Sequence, residues 1–485
     1  MTVKLRHFAS LALFWLFAPV LPGSAEVPFE DGLKGHLETL TKDQLPGMAV
    51  LVARDGKIFF QGGFGFAGLE KKTPVSSDTK FRIGSVTKSF TAMLVLQLVE
   101  QGKLKLDDPV GNYLPDFQNS PKSKITINQL LTHTSGLPDY NNVPEFFRAV
   151  QSGYLSEAEI IKRISNYDLL FEPGAKFGYS NDGYRLLGAI IEKVTNKSYE
   201  QVLQDNILTP LKMKNSGYSR RTKVLEKRAS GYRKTLAGLE NAPFYTESAA
   251  AGMYSTAEDL LLFDEALYSD KLLSQKSKDL MWQIVPSGNA YGWQVSKKDE
   301  LLTIMTEGAV FGFFARVVRL PKDRYTIVLL TNVRGTMSIR GNVNLLPEIE
   351  RSVTAILYDK PYDAPIKSIA ETLLATFKQK GIEAALRQYR ELKTREPNSY
   401  YFAESELNYL GYYLMDNLRK TRDAVEVFKL NVEIYPQSAN AYDSLGEAYM
   451  KIGEKELAIK NYRKSAELNP QNKNALEMLK KLKEQ

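Results

Sequence analysis

Ser85-Val86-Thr87-Lys88 stands at the head of the apolar run SFTAMLVLQLV over residues 89–99. The length and apolar character of this run predict a buried helix with Ser85 at its N-terminal end. A serine and a lysine at this spacing lie on one face of a helix, within one turn of each other. A desolvated lysine can take the proton of the serine hydroxyl, so the segment predicts a nucleophile beside its base.

The same spacing occurs a second time, upstream, at Ser77 and Lys80. This pair lies in the polar stretch SSDTK over residues 76–80, and no apolar helix follows it. A serine that caps a helix is the more common explanation of an isolated S-x-x-K. The spacing alone therefore assigns no function, and Ser85 has to be judged by the motifs that accompany it.

Further motifs follow Ser85 along the chain. They are, in order, LLTHTSGLP over residues 130–138, YSN over 179–181, AGMYSTAEDL over 251–260, and GAVFGF over 308–313. In this order and spacing the set resembles the class C β-lactamase family and its esterase, peptidase and penicillin-binding-protein-like relatives, over roughly residues 28–357. No single motif is diagnostic, since YNN at residues 140–142 is another Tyr-x-Asn, but the ordered series is specific.

The resemblance implies roles for the residues of these motifs. Ser85 would attack an ester or amide carbonyl and become acylated, and Lys88 and Tyr179 would be the proton-transfer groups. Whether Lys88 or Tyr179 is the base stays open. Asn181 would orient the substrate and Lys88 through hydrogen bonds. The alternatives are a core aromatic at Tyr179 and a turn residue at Asn181.

The third family motif departs from the usual pattern. Relatives carry Lys-Thr-Gly or His-x-Gly on the strand that borders the site, and the aligned residues here are Thr306, Glu307, Gly308 and Ala309. Gly308 keeps the close backbone approach that lets a substrate lie along the strand. The resemblance also implies that the backbone N–H groups of Ser85 and Ala309 form the oxyanion hole.

Loss of the basic side chain at position 306 bears on the choice of substrate. In relatives that side chain helps to hold a substrate carboxylate, so Thr306 disfavours penicillin hydrolysis and carboxypeptidase action. Esters and amides that lack an acidic group stay open as substrates. Lys297 or Lys298 would restore the charge if either reached the site.

The three histidines restrict other hydrolytic mechanisms. His7 lies in the N-terminal segment, which leaves His36 and His133 for a Ser-His-Asp triad, and no Gly-x-Ser-x-Gly motif accompanies a serine. In the family that the chain resembles, the stretch around His133 is structural. Two histidines without cysteines or an acidic cluster also argue against a catalytic zinc site, so we expect no metal and no cofactor.

Residues 1–25 have the composition of a secretory signal peptide. Lys4 and Arg6 precede an apolar stretch over residues 9–21, and the small residues Gly23 and Ala25 follow it. This stretch is too short to span a bilayer, so we predict cleavage after Ala25 and no transmembrane anchor afterwards. The protein would then be exported, to the periplasm or the medium of a bacterium. The formal net charge of +8 comes from scattered basic residues and does not indicate nucleic-acid binding.

The strand and helix pattern predicts an α+β domain over residues 26–358. Apolar runs at residues 49–53 and 57–61 flank Arg54-Asp55-Gly56 and predict a β-hairpin. Residues 302–331 return to strands around a turn at 321–324, and residues 343–357 form a closing helix. Because the early hairpin and the late strands must pair to cover their edges, we expect one antiparallel sheet flanked by helices, with a helical insertion. The family that the chain resembles has this β-lactamase/transpeptidase-like fold.

A second domain, residues 366–485, follows a linker at residues 359–365. It repeats with a period of 34, and the recurring positions are Ala458, Tyr462 and Pro470, then Ala424, Phe428 and Pro436, then a looser copy at Ala385, Tyr389 and Pro397. The best copy, residues 439–472, resembles the tetratricopeptide repeat, a helix hairpin that stacks because neither helix can bury its apolar face alone. We expect an all-α domain with a capping helix over residues 474–483; an unrelated helical bundle is the alternative.

These features predict an exported serine hydrolase with a C-terminal repeat domain. Its substrate would be a small ester, a D-amino acid peptide or a β-lactam, and its repeats would bind a protein or peptide partner. The alternative is a catalytically weak or inactive penicillin-binding-protein-like binding module whose repeats recruit a protein partner. Ser85, Lys88, Tyr179 and Asn181 favour the enzyme, whereas Thr306 favours the binding module.

Overall fold

The computed structural model describes residues 32–35, 37–38, 47–139, 143, 148–149, 155–219, 225–236, 238–242, 248–283, 288–298, 300–335, 345–362 and 367–484. The predicted signal peptide, His7, His36 and residues 363–365 of the predicted linker lie outside these ranges. Within them, no helix combines the length and the apolar character that a membrane crossing requires.

The strands of the first domain come from its two ends and from short segments between. They are, in chain order, β1 Gly47–Arg54, β2 Lys57–Gly68, β3 Thr73–Pro74, β4 Phe81–Arg82, β5 Gly217–Tyr218, β6 Tyr232–Thr235, β7 Gly238–Asn241, β8 Met253–Ser255, β9 Gln294–Lys298, β10 Leu301–Val310, β11 Phe313–Leu320, β12 Tyr325–Thr331 and β13 Val333–Gly335. Two further strands, β14 Lys367–Ser368 and β15 Tyr400–Tyr401, lie in the second domain.

The central sheet is antiparallel, and its strands lie in the order β3-β2-β1-β12-β11-β10-β9. Arg54 of β1 pairs with Tyr325 of β12, so the late strands close the N-terminal hairpin as the sequence predicted. Between β1 and β2, Asp55 and Gly56 have φ values of 50° and 72°, the left-handed conformation that an Asp-Gly turn supplies.

Helices pack on both faces of the sheet and form the insertion. They are α1 Thr87–Glu100, α2 Ile127–Leu131, α3 Glu157–Asn166, α4 Asn181–Thr195, α5 Tyr199–Leu203, α6 Thr209–Leu211, α7 Ala257–Ala266, α8 Gln275–Met281 and α9 Leu345–Leu357. Short 3₁₀ turns lie at Gly84–Val86, Val110–Asn112, Pro115–Phe117 and Pro121–Lys124, and a π-helical turn at Gln204–Leu208. The closing helix predicted over residues 343–357 is α9.

Two apolar cores lie on the two faces of the sheet. Successive residues of a strand point to opposite faces, so Leu51 packs in the core that contains Phe90 of α1, and Val52 packs in the core that contains Ile349 and Val353 of α9. This double coverage explains why β1 is apolar from Gly47 to Ala53 instead of alternating. It also holds α1, which begins just after Ser85, in the centre of the domain.

The second domain consists of helix hairpins. Its helices are α10 Ile369–Lys380, α11 Ile382–Arg395, α12 Glu404–Tyr412, α13 Thr421–Ile434, α14 Ala439–Lys451, α15 Lys455–Leu468 and α16 Lys473–Glu484, with a π-helical turn at Tyr413–Asn417. The ring of Tyr462 packs against Gly446, where a Cβ would lie 3.1 Å from it, and Phe428 packs against Gly411 in the same way. The predicted capping helix over residues 474–483 is α16.

A hairpin of the first domain reaches the second domain. Between β6 and β7, Leu236 is buried in the apolar cluster of the repeats, and Lys234 forms a salt bridge with Glu371 of α10 at 3.0 Å. At the other end of β6, the Tyr232 hydroxyl accepts a hydrogen bond from the backbone N–H of Leu69 at 2.7 Å. The two domains are therefore in contact, while the domain boundaries given above stay a prediction.

Candidate active site

Ser85 lies on the 3₁₀ turn that leads directly into α1. Gly84 has a φ of 54°, which L side chains rarely adopt, and a Cβ there would lie 2.8 Å from the backbone nitrogen of Ala309. Lys88 is buried one helical turn further on, and its Nζ lies 3.0 Å from Ser85 Oγ. The structure thus brings the predicted serine and lysine together, with Ser85 on the turn before the helix.

Lys88 Nζ has three oxygen neighbours. It donates hydrogen bonds to Asn181 Oδ1 at 2.7 Å and to the Ala250 carbonyl oxygen at 2.9 Å, in addition to its contact with Ser85 Oγ. A neutral amine has two N–H groups and one lone pair. When the two carbonyl oxygens take the N–H groups, the lone pair is left for the Ser85 hydroxyl. Burial favours this neutral form because it lowers the pKa of Lys88 to about 7.

Tyr179 is the second group that contacts the serine. Its hydroxyl oxygen lies 2.9 Å from Ser85 Oγ and 3.5 Å from Asn181 Oδ1. Lys88 Nζ lies 5.0 Å from the centre of the Tyr179 ring, where the ring electrons attract a cation. The Tyr179 side chain is 42% exposed, so it stands between the buried Lys88 and the solvent. Tyr179 and Asn181 are therefore neither core nor turn residues but belong to the same hydrogen-bonded group as Ser85.

His133 supports the segment that carries these residues. Its Nδ1 accepts a hydrogen bond from the backbone N–H of Ser180 at 3.2 Å, and its ring packs 4.5 Å from the Tyr179 ring, centre to centre. Burial, and then the charge of Lys88, lower the pKa of His133 to about 3, so the imidazole is neutral. The structure shows no Ser-His pair at Ser85, whose described partners are Lys88 and Tyr179.

The backbone of β10 lies against the turn that carries Ser85. A Cβ at Gly308 would lie 2.0 Å from the Ile83 carbonyl oxygen and 2.5 Å from the Ser85 nitrogen, so only glycine permits this approach. The backbone nitrogens of Ser85 and Ala309 both lie at this contact, since a Cβ at Gly84 would lie 2.8 Å from the Ala309 nitrogen. These are the two donors that the sequence analysis expected for an oxyanion hole.

Thr306 and Glu307 have different environments although they are neighbours on β10. Thr306 is 4% exposed and lines the cleft beside Ser85. Glu307 also borders the cleft, but its carboxylate forms a salt bridge with Arg316 at 2.5 Å, and Arg316 contacts Glu350 of α9 at 3.3 Å. The charge of Glu307 is therefore balanced by a neighbouring arginine.

Neither lysine of β9 replaces the missing basic residue. Lys297 pairs with Glu300 at 2.8 Å, and neither Lys297 nor Lys298 lines the cleft. Of the described residues that line it, Lys88 alone is a lysine or arginine, and His133 is neutral. In the part of the chain that the structure describes, the cleft therefore offers a substrate carboxylate no basic side chain beyond the proposed base itself.

The upstream pair Ser77 and Lys80 lies apart from this cleft. It belongs to a turn in which the Ser76 backbone N–H donates to Thr79 Oγ1 at 2.8 Å, and Lys80 Nζ donates to the Glu226 carbonyl oxygen at 3.3 Å. Strand β4, not a helix, follows it. Within the described ranges no group of three or more histidine, aspartate or glutamate residues could hold a metal ion.

Two residues of the site were not singled out from the sequence. Asp139 Oδ2 accepts hydrogen bonds from Asn181 Nδ2 at 2.7 Å and from the Asn181 backbone N–H at 3.2 Å. Ala250 supplies the carbonyl oxygen to Lys88 described above. Their place in the sequence was the one feature that could have indicated them, because Asp139 directly follows the motif LLTHTSGLP and Ala250 directly precedes the motif AGMYSTAEDL.

Comparisons with known proteins agree with both domains. The Beta-lactamase family model matches residues 33–346, and a Tetratricopeptide repeat model matches residues 439–472. The chain is 33% identical over 310 residues to Protein flp of Staphylococcus aureus (strain MW2). The aligned region covers 61% of this chain and 61% of that protein. The match thus spans about three fifths of the length of this relative.

Two other similar proteins cover more of their own length. Penicillin-binding protein 4* of Bacillus subtilis (strain 168) is 30% identical over 381 residues, 72% of this chain and 80% of that protein. Among solved structures, D-amino acid amidase from Ochrobactrum anthropi SV3, complexed with L-phenylalanine amide, has a TM-score of 0.60 and 25% identity, over 68% of this chain and 97% of that one.

Proposed function

Because the chain belongs to the β-lactamase family, we propose that it is a serine hydrolase that cleaves ester or amide bonds through an acyl-enzyme on Ser85. The observation that carries this proposal is the contact of Ser85 Oγ with two proton-handling groups, Lys88 Nζ at 3.0 Å and the Tyr179 hydroxyl at 2.9 Å. A serine hydroxyl is a weak nucleophile alone, but between an amine and a phenol it can lose its proton as it attacks.

In the proposed acylation step, Lys88 is the base. Its lone pair takes the proton of Ser85 Oγ while Oγ bonds to the substrate carbonyl carbon and the carbonyl electron pair moves to oxygen. The resulting oxyanion accepts hydrogen bonds from the N–H groups of Ser85 and Ala309. The intermediate then expels the alcohol or amine, which leaves with a proton from Tyr179, and Tyr179 recovers a proton from Lys88.

Water completes the proposed cycle. The Lys88–Tyr179 pair takes one proton from a water molecule whose oxygen attacks the acyl carbon, and Ser85 Oγ regains a proton as the carboxylic acid leaves. A group works best as both base and acid when its pKa lies near the working pH. The pKa of about 7 at Lys88 suits both directions of transfer.

We propose an ester or amide whose recognition needs no carboxylate as the substrate, with D-amino acid amides and peptides included. The support is that the described residues of the cleft include no lysine or arginine besides Lys88, together with the buried Thr306. The similarity to the D-amino acid amidase from Ochrobactrum anthropi supports amides of this kind as substrates. β-Lactams, which carry a carboxylate, rank below them because nothing described in the cleft replaces the basic residue of relatives.

The remaining parts of the proposal concern export and the repeats. Residues 1–25 have the composition of a signal peptide, and we propose a periplasmic or secreted protein on that basis. The tetratricopeptide match supports a protein or peptide partner for the second domain. Thr306 also favours a second candidate, a penicillin-binding-protein-like module with weak or no catalysis whose repeats recruit the partner.

Covalent labelling separates the two candidates. A fluorophosphonate probe should label the wild type on Ser85, and p-nitrophenyl butyrate should be hydrolysed with a higher kcat/KM than nitrocefin. Ser85→Ala should lose both the label and the turnover by orders of magnitude, and the matched variant Ser77→Ala should keep both. A folded wild type that is neither labelled nor active would support the binding module instead.

A further inference from the structure

Asp139 is buried behind the catalytic group, on the far side of Asn181. It is 5% exposed, and its Oδ2 accepts hydrogen bonds from Asn181 Nδ2 at 2.7 Å and from the Asn181 backbone N–H at 3.2 Å. An ionised carboxylate can only accept hydrogen bonds. The side of the Asn181 amide that faces Asp139 must therefore be its NH₂ group, and the other side, Oδ1, faces Lys88 Nζ at 2.7 Å.

We propose that Asp139 is a positioning residue for the reaction, which holds the Asn181 amide so that Oδ1 receives one N–H of Lys88. The inference rests on the proposed function, because its effect is exerted on the proposed base. Asp139 itself does not contact Ser85 in any described hydrogen bond and transfers no proton in this scheme. Its role is to fix the orientation of the Asn181 amide, so that the oxygen and not the NH₂ group faces Lys88 Nζ.

The orientation matters because of the donors on Lys88. If the Asn181 amide turned by half a rotation, its NH₂ group would meet the N–H groups of Lys88, and two donors would face each other. Lys88 would keep one carbonyl acceptor, that of Ala250, and its lone pair would no longer be directed at Ser85 Oγ. A hydrogen bond to or from a charged group in a buried site changes rates by about ten- to hundredfold.

The charge of Asp139 acts on Lys88 as well. Three charged groups influence the pKa of Lys88, namely the carboxylates of Asp139 and Asp182 and the guanidinium of Arg185. Its uncharged neighbours are the His133 imidazole and the rings of Tyr179 and Tyr184. Burial lowers the pKa of Lys88, and Asp139 is the largest of the charges that raise it again. Removal of that charge lowers the pKa of Lys88 further, so the acidic limb of the kcat/KM profile moves to lower pH.

Two substitutions at this position separate orientation from charge. Asp139→Ala removes both the acceptor and the charge, and we expect kcat on p-nitrophenyl butyrate to fall about ten- to hundredfold. Asp139→Asn keeps an acceptor oxygen for Asn181 Nδ2, so its loss in kcat should be smaller while its acidic limb still moves to lower pH. The matched control is Asp168→Asn, an exposed aspartate outside the site, which should change neither quantity.

A double-mutant cycle tests the coupling. Once Asn181→Ala has removed the amide, Asp139→Ala should cost little further kcat, because the group that it positions is gone. If the fold-losses in kcat of Asp139→Ala and Asn181→Ala simply multiply in the double variant, the inference is overturned. A wild-type kcat in Asp139→Ala would overturn it as well.

Two measurements keep this test independent of the proposed function. The wild type is first treated with the fluorophosphonate probe, and failure to label Ser85 would count against the hydrolase alone. A neutron structure of Asp139→Ala, which distinguishes the amide oxygen from the NH₂ group, then reports the orientation of Asn181 directly. Loss of the contact between Asn181 Oδ1 and Lys88 Nζ supports the inference, and an unchanged contact overturns it whether or not the enzyme is active.

Discussion

Replacement of Lys88 by methionine tests whether a neutral amine is buried in the site. Burial lowers the pKa of Lys88 from 10.5 to about 7. The unfolded chain therefore keeps the lysine proton up to about pH 10.5, whereas the folded chain has released it above about pH 7. Between these values the unfolded state binds one more proton, so the free energy of unfolding of the wild type rises with pH.

The size of the effect follows from the two pKa values. The difference between 10.5 and about 7 corresponds to roughly 5 kcal/mol, a cost to folding that is fully present below pH 7 and absent above pH 10.5. It accrues at about 1.4 kcal/mol for each pH unit between those limits. Lys88→Met also leaves the Asn181 and Ala250 oxygens without a donor, at about 1–3 kcal/mol each, but that loss does not vary with pH. The pH dependence thus isolates the amine.

Thermal unfolding of both proteins at several pH values between 7 and 10 supplies the measurement. As the pH falls through this window, Lys88→Met should gain stability relative to the wild type by about 1.4 kcal/mol per unit, or about 2–4 °C in Tm. As the pH is raised, kcat/KM of the wild type should increase with a midpoint near the Lys88 pKa of about 7, because the neutral amine is the proposed base. Lys103→Met, at an exposed lysine, is the control, and its Tm should change with pH in the same way as that of the wild type. A constant difference between Lys88→Met and the wild type would refute the neutral buried amine.

Two further predictions concern the cleft wall and the domain contact. Thr306→Lys should raise the ratio of nitrocefin to p-nitrophenyl butyrate kcat/KM, because it returns a cation to the cleft, and an unchanged ratio would show that substrate charge is sensed elsewhere. Leu236→Ala should lower the stability by about 2–5 kcal/mol, since Leu236 is 6% exposed in the core of the repeats. Leu239→Ala, at a 43% exposed position of the same hairpin, should leave Tm unchanged, and equal Tm values for the two variants would contradict the proposed contact.

The sheet was predictable because its signals are local. Asp55-Gly56 between two apolar runs specifies a hairpin, and the need to cover its edge leads to the pairing of β1 with β12. The repeats were predictable because a period of 34 residues places Ala458 and Tyr462 in the same packing positions in each copy. Ser85 was expected at the end of a helix and lies on the preceding 3₁₀ turn, because Gly84 must pass close to β10. That contact joins residues that are distant in the chain, and no local pattern reports it.

The candidate catalytic side chains could be chosen from the sequence, but the residues that hold them in place could not. Ser85, Lys88, Tyr179 and Asn181 belong to spaced motifs, and the structure places all four within one hydrogen-bonded group. The roles given to them stay proposals until they are tested. Ala250 acts through a backbone carbonyl, which any residue type can supply, so its sequence carries no signal.

The contact between the domains changes what the predicted linker implies. A linker at residues 359–365 suggests two independent bodies, but Leu236 of the first domain completes the apolar cluster of the repeats, and Lys234 pairs with Glu371. Through Tyr232 the same hairpin forms a hydrogen bond with Leu69, which directly follows β2 of the central sheet. Removal of the repeats would expose Leu236 and leave Lys234 unpaired, so a chain that ends at Tyr358 should unfold at a lower temperature than the full chain. Assays of the proposed partner and of the proposed hydrolase therefore belong on the intact protein, in which Leu236 and Lys234 keep their contacts with the repeats.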